Sequence, residues 1–348
     1  MDEARYVAGR IRKWVDEGGL RSEVAVLYRS NAQSRVFEAR SNENRIPYRV
    51  YGGLRFFERA EIKDALAYLR LTLNPADDAS FERIVNHPPR GIGERTVDML
   101  RQIARTEQRS LWEVAVEAVD SGEFTARAAG AISRFVELIR QMNEHMQNLP
   151  LYEQVEAVIS LAQLKEHFRT KEKGEQGQAR IDNLNELVTA ANGYTFVREE
   201  ELPEMDELSS FLAHAALEAG EGQGEAGEDC VQMMTLHSAK GLEFPLVFLC
   251  GLEEGLFPHQ MSVDEPGRLE EERRLCYVGI TRAEQQLVIS YAEQRQLHGK
   301  PVSIRLHVSR ELPEELLDEV RPSADLSDQL SLKPSGTGCA ALYASEQP

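Results

Sequence analysis

The chain has 348 residues, 42% hydrophobic and 28% charged, with a formal net charge of −18. That length buries a core in each of about two domains, and that charge excludes a protein that coats nucleic acid by bulk attraction, though not one with a local basic groove. No apolar run approaches the ~20 residues of a membrane span, and MDEARYVAGRIRKW lacks the apolar core of a signal peptide, so no membrane and a cytoplasmic location are expected.

The first helix places Ala4, Val7, Ile11 and Trp14 on one face and stops at Gly18-Gly19. VAVLYRS (24–30) reads as a short buried strand. A helix follows from about Asn31, weakened at Ser41–Asn44 where apolar residues are missing, and IPYRVYGG (46–53) reads as a second strand. This alternation predicts α/β structure with a parallel sheet. Arg29, Arg35, Arg40, Arg45, Arg49, Arg55 and Arg59 make a basic run. In YRSNAQSR, Tyr28 suits stacking on a base while Arg29 and Arg35 reach phosphates. A plain strand end followed by an Asn-capped helix fits the same residues.

From about Phe56 to Leu217 the pattern is almost wholly helical. Within it, HPPRGIGERT sets Gly91, Ile92 and Gly93 before a helix start, flanked by Arg90 and Arg95. Such a hairpin offers backbone N–H groups and the positive end of the helix dipole to a phosphate; a tight interhelical turn is the alternative. KEKGEQGQARIDN (171–183) is a charged turn with Lys171, Lys173 and Arg180 available to a nucleic-acid backbone, or a solvated loop. EAGEGQGEAGED (218–229) reads as a flexible acidic linker. Strand signals resume at VQMMTL (231–236), PLVFLCG (245–251) and QLVISYA (286–292). One α/β domain, with parts 1–53 and 229–320, is thus interrupted by a helical insertion, 54–228, and followed by a disordered tail, 321–348. Cys230, Cys250, Cys276 and Cys339 lack metal-ligand spacing and read as reduced thiols.

The sequence contains no GxxxxGK[ST], HExxH or GxSxG, and Gly299-Lys300 is followed by proline. No acidic pair stands at a strand end as a Walker B would, and no metal site is expected. In TLHSAKGLEF, Thr235, His237 and Ser238 fall at the carboxyl end of a strand, the edge where open α/β sheets bind ligands. Ser238, Ala239 and Gly241 permit close backbone approach, Lys240 offsets phosphate charge, and Glu243 suits a sugar hydroxyl. A solvated turn capped by Glu243 competes with that reading. In EEERRLCYVGITRAEQQLVISYA (270–292), Glu270, Arg273, Arg274 and Tyr277 fall at helical spacing, with Glu270 and Arg274 an i,i+4 pair. Arg282, at the end of this element, has the geometry to reach a phosphate; a surface pair with Glu271 or Glu284 is the alternative.

Taken together, TLHSAKGLEFPLVFLCGLEEGLFPH resembles motif V, and EEERRLCYVGITRAEQQLVISYAE motif VI, of UvrD/PcrA/Rep-type superfamily 1 DNA helicases. LYRSNAQSR, IPYRVYGGLRFFERAEIKDALAYLRL, RGIGERT and FLAHAALEAGEG are similar to that family's connecting and insertion segments, in the same order, across about residues 1–320. The resemblance, closest to the UvrD branch, implies a partial RecA-like parallel-sheet domain, 2A, interrupted by a mostly helical domain, 2B. It implies the C-terminal portion of an ATP-dependent 3′–5′ DNA helicase of repair or replication, bacterial in type and nucleoid-associated. Arg282 would meet the γ-phosphate, and Glu243, beside Gly241, the ribose. Arg29, Ser30 and Asn31, with Thr235, His237 and Ser238, would track single-stranded DNA. Arg90, Gly91, Ile92, Gly93 and Lys173 would meet duplex DNA at the junction.

The family's first RecA-like domain, with its Walker motifs and motif III, has no counterpart here, nor does its motif IV arginine. Ser41–Asn44 and the ending after Lys300 also depart from the pattern. ATP with Mg is therefore expected only at a site shared with another segment, and the chain alone is expected to be inactive. The resemblance implies DNA, single-stranded and junction duplex, as the expected partner, with the missing helicase half or repair proteins as further candidates. A non-enzymatic module binding DNA or a protein, and the product of a truncated reading frame, are the alternatives.

Overall fold

The computed structural model describes residues 2–51, 53–118, 122–172, 174–196, 206–220, 228–253, 255–259, 262, 267–292, 294–297, 300–303, 320–322 and 339–345. The chain divides into two compact units, Met1–Phe56 with Glu221–Pro348, and Phe57–Gly220.

The first unit is α/β. β1 (Val24–Tyr28), β2 (Tyr48–Val50), β3 (Val231–Thr235), β4 (Phe244–Cys250) and β5 (Ala283–Ala292) form a parallel sheet in the order β2-β3-β1-β4-β5. Each predicted strand is present. The period of two in side-chain direction sorts β1 into two faces. Val24, Val26 and Tyr28 join a core with Ala4, Val7 and Ile11 of α1 (Asp2–Asp16) and Phe37 of α2 (Ser34–Glu43). Ala25 and Leu27 join Leu275 and Cys276 on the opposite face. These come from the C-terminal helix Arg268–Ile280. Both faces are covered, so the strands read as continuous apolar runs.

Two expectations change here. The Ser41–Asn44 stretch does not weaken its helix: α2 runs to Glu43, and Ser41 is buried. Asn44 closes the helix by donating Nδ2–H to the Arg40 carbonyl (2.7 Å), while the Ile46 N–H donates to the Ser41 carbonyl (2.9 Å). Polar capping does the work expected of apolar packing. Within 321–348, the low-polarity run Cys339–Ser345 forms a strand, antiparallel to β5. β6 (Gln294–Leu297) pairs with β7 (Lys300–Ser303); β8 (Val320–Pro322) pairs with that last strand, β9. The acidic linker lies outside the described residues at 221–227, but Asp229 at its end accepts from Arg21 Nη1 (3.0 Å) and the Ser22 N–H (2.8 Å).

The second unit is built from helices alone among its described residues. In order these are α3 (Ala60–Leu73), α4 (Asp78–Ile84), α5 (Glu94–Glu107), α6 (Leu111–Glu117), α7 (Ala126–Met146), α8 (Leu151–Leu161), α9 (Leu164–Lys171), α10 (Glu175–Asn192) and α11 (Glu207–Gly220). The C-terminal helix Arg268–Ile280 is therefore α12. Ile62, Leu69, Phe81, Phe135, Val155 and Leu184 are fully buried, and Phe81 meets Phe135 edge-on at 5.4 Å.

Candidate functional site

Sheet register sorts the candidate residues of the first unit onto two opposite edges. Tyr28 is paired with Thr235 at the carboxyl ends of β1 and β3, and the Leu236 N–H donates to the Tyr28 carbonyl at 2.9 Å. Arg29, Ser30 and Asn31 therefore leave the sheet beside Leu236, His237 and Ser238. At the amino ends of β4 and β5, Phe244 is paired with Ala283, which sets Glu243 next to Arg282. Thr235–Ser238 were expected at the carboxyl edge and are there. Glu243 and Arg282 stand at the other edge, because the segment 236–243 crosses from the end of β3 to the start of β4.

At the carboxyl edge, the Ser30 side chain accepts from the Ala32 N–H (3.4 Å), and the Ser30 N–H donates to Gln33 Oε1 (2.8 Å). This reciprocal cap opens a short 3-10 turn, Asn31–Gln33, ahead of α2. Asn31 is exposed. The Thr235 and Ser238 hydroxyls lie 3.1 Å apart, and the Ser238 and Ala239 N–H groups both donate to the Thr235 carbonyl. His237 and Lys240 project into solvent, and Gly241 is exposed with φ +85°.

Two residues at this edge differ from their expected use. Tyr28 is fully buried and stacks on Phe37 with ring planes 7° apart, so it presents no face to a base. Arg29 grips Glu272 of α12: Nε donates to both carboxylate oxygens at 3.0 Å, and Nη2 to Oε1 at 2.8 Å. The Arg29 side chain is 11% exposed and that of Glu272 2%. Glu272 also accepts from Ser262 Oγ (3.0 Å) and the His259 N–H (3.3 Å). Burial works to raise its carboxyl, but the hydrogen bond and charge of Arg29, with Ser262 and the His259 N–H, outweigh burial and leave it below the ordinary carboxylate value. Glu272 was not among the expected residues. Its signal was nevertheless present: 272, 275, 276 and 279 follow i, i+3, i+4, i+7 spacing, and all four are buried.

At the amino edge, Arg282 is fixed by neutral acceptors. Nε donates to the Val278 carbonyl (2.9 Å), Nη1 to the Leu242 carbonyl (2.8 Å) and Nη2 to Thr281 Oγ1 (3.0 Å). No carboxylate among the described residues pairs with it, so the surface pair with Glu271 or Glu284 is not formed. A guanidinium oriented this way keeps its charge for an incoming anion. Glu243 is exposed beside it. Arg274 makes the expected pair with Glu270 at 3.7 Å, and Tyr277 is 70% exposed on the same outer face of α12.

In the second unit, Gly91 and Gly93 are exposed and Ile92 is fully buried, with Gly93 opening α5. Gly91 has φ +82°, a conformation that disfavours side chains. Asn86 Oδ1 accepts from the N–H groups of Arg90 (2.8 Å) and Ile92 (3.2 Å), which ties the turn together. The Arg90 side chain turns inward. Its Nη1 donates to the Pro88 (2.9 Å) and Ile84 (3.2 Å) carbonyls and its Nη2 to the Tyr68 hydroxyl, so Arg90 supports the hairpin instead of reaching outward. Tyr68 Oη in turn donates to the His87 carbonyl at 2.6 Å. Arg180 is likewise engaged, with Glu61 (2.6 Å) and Glu172 (2.7 Å). Lys173 lies outside the described residues.

Among the described residues no three His, Cys, Asp or Glu side chains group as a metal site, and no helix is long and apolar enough to cross a membrane. Cys230, Cys250 and Cys276 are buried and form no disulfide.

The model of the UvrD-like helicase C-terminal domain matches residues 1–294. DNA helicase II of Escherichia coli K12 is 54% identical over 338 residues, covering 97% of this chain and 46% of that protein. ATP-dependent DNA helicase PcrA of Bacillus subtilis 168 is 39% identical over 326 residues, covering 91% and 43% respectively. ATP-dependent DNA helicase UvrD1 of Mycobacterium bovis is 39% identical over 351 residues, covering 97% and 45%. The chain thus spans less than half the length of these relatives.

Proposed function

The chain belongs to the UvrD-like helicase C-terminal domain family, and from that premise we propose that it supplies one side of the motor of an ATP-dependent 3′–5′ DNA helicase of repair or replication. The observation that carries this reading is the division of the sheet into two edges. The amino edge offers Arg282 to a γ-phosphate and Glu243 to a ribose. The carboxyl edge offers Ser30, Asn31, Thr235, His237 and Ser238 to single-stranded DNA. The Gly91–Gly93 hairpin offers backbone N–H groups and a helix N-terminus to duplex phosphates.

The residues present fit ATP in part. Arg282, held by carbonyls and a hydroxyl, is preorganised to stabilise charge on a transferring phosphoryl group. A phosphate-binding loop of the GxxxxGK[ST] kind is not in these residues, so in this reading another segment would supply it together with the Mg ligands. Arg282 and Glu243 would face that nucleotide from this side, and α12 and the 236–243 crossover join them to the carboxyl edge. Units 1–56 with 221–348, and 57–220, serve in this reading as domains 2A and 2B. A cytoplasmic, nucleoid-associated setting and contact with repair proteins go with the same proposal.

The test is an assay of ATP turnover by the purified chain with and without oligo-dT. No DNA-stimulated turnover is expected. Robust turnover abolished by Arg282→Ala would contradict the shared-site reading.

A further inference from the structure

We infer that Glu272 is a positioning residue for single-stranded DNA at the carboxyl edge, and that Arg29 acts through it as an internal brace instead of ligating a phosphate. This rests on the proposed DNA-binding role of that edge.

Arg29 follows Tyr28, the last paired residue of β1, and precedes Ser30 and Asn31. Its guanidinium meets both oxygens of Glu272 in the fork geometry that suits a carboxylate. A DNA phosphate claiming that guanidinium would leave a carboxylate, 2% exposed, without its main counter-charge. Stranding a buried charge in this way is strongly unfavourable. The remaining Glu272 contacts, Ser262 Oγ and the His259 N–H, are neutral and compensate only in part. The pair therefore stays closed when DNA is present.

What the closed pair fixes is the path of the chain. Ser30 is locked as a cap by Gln33, and Leu236 hangs from the Tyr28 carbonyl. Anchoring Arg29 thus sets where Asn31 stands relative to His237 and Ser238. The anchor lies on α12, whose far end leads through Thr281 to Arg282. Any displacement of α12 carries the anchor with it, so the DNA edge follows the nucleotide edge through one buried pair.

Fluorescence anisotropy with labelled oligo-dT, over a series of salt concentrations, tests this on the full chain. Arg29→Lys keeps the charge and loses the fork. As a brace it weakens binding by about tenfold, within the range for residues sharing one network; as a phosphate ligand it stays near the parent. Glu272→Gln is expected to weaken binding by a similar factor with the salt slope unchanged. The exchanged pair Arg29→Glu/Glu272→Arg is expected to recover affinity to within about threefold of the parent. The inference is overturned if Arg29→Lys binds like the parent, if Glu272→Gln tightens binding, or if Arg29→Gln flattens the salt slope by about 0.7, the loss of one phosphate contact on a single strand. Thermal melts identify variants that fail to fold, in which case Arg29→Lys, the mildest change, decides the matter. Failure of the parent chain to bind oligo-dT overturns the DNA reading and this inference together. Binding by the parent with the phosphate-ligand pattern overturns the inference alone.

Discussion

The backbone N–H of Phe244 donates to the carbonyl oxygen of Arg282 across 2.9 Å. That single bond opens the β4–β5 ladder and seats Glu243 and Arg282 side by side, although they are far apart in the sequence. The Arg282 side chain then reaches back to the Leu242 carbonyl, so both main chain and side chain tie the second candidate stretch to the first. The stability and orientation of this corner depend on how α12 packs on the sheet.

Gly279 sits where α12 presses on the 236–243 crossover. A Cβ there would lie 2.6 Å from Leu236 Cδ2 and 3.2 Å from Leu249 Cδ1, and both leucines are fully buried. Helix propensity favours Gly279→Ala by about 1 kcal/mol, whereas overpacking a closed core costs about 1–3 kcal/mol. The steric term is expected to win. Urea unfolding should show a lowered midpoint at unchanged m-value, and a raised midpoint would mean that the leucines yield freely.

The Glu272 carboxyl lies below its ordinary value because Arg29 and its other donors outweigh burial. A depressed folded pKa means the unfolded chain takes up the proton more readily. The stabilisation is therefore complete above the ordinary glutamate value of about 4.3 and is lost as pH falls through the lower folded value. Glu272→Gln should cost about 3 kcal/mol or more near pH 7, as for a broken buried pair. The gap to the parent should narrow as both are acidified toward pH 3. Urea midpoints measured from pH 7 to pH 3 check this, and a constant gap would contradict it.

Tyr68 is fully buried and bridges the His87 carbonyl and the Arg90 guanidinium. Burial pushes its hydroxyl pKa far up, and Arg90 opposes this only in part, so the proton stays on Oη to donate. Tyr68→Phe leaves the part-buried His87 carbonyl and Arg90 Nη2 short of a partner, which costs about 1 kcal/mol. Loss of that support should also weaken low-salt gel shifts with duplex DNA, together with a lowered melting temperature. Unchanged duplex binding by a measurably destabilised variant would separate the hairpin from DNA contact.

Much of the first unit was legible because buried parallel strands leave apolar runs: VAVLY and PLVFLC carry no charged residue, and VQMMT is polar only at Gln232 and Thr235. The α1 face of Ala4, Val7 and Ile11 was legible from spacing alone. The partners of the charged residues were not. Arg29, Arg90 and Arg180 all read as cations free for phosphate, yet each is turned toward a carboxylate, carbonyl or hydroxyl that is distant in sequence or faces inward by a choice of rotamer. Composition is blind to that choice. Glu3 makes the same point: it lies on α1 beside the apolar stripe and is buried, accepting from the Gly251 N–H and Ser290 Oγ at 2.8 Å each. The opposite placement of the two candidate edges was equally hidden. It follows from parallel register, which only the strand order reveals.

The most direct test of the two-edged motor replaces the matching region of Escherichia coli DNA helicase II, 54% identical over 338 residues, with this chain. DNA-stimulated ATP turnover is then measured with Arg282 intact and as Arg282→Ala. The chimera should turn over ATP in response to oligo-dT, and Arg282→Ala should lower that turnover by about 10³-fold or more, as expected for an arginine stabilising a transferring phosphoryl group, with its oligo-dT affinity retained. Turnover by the Arg282→Ala chimera at the intact chimera's rate would contradict the assignment of the amino edge to nucleotide.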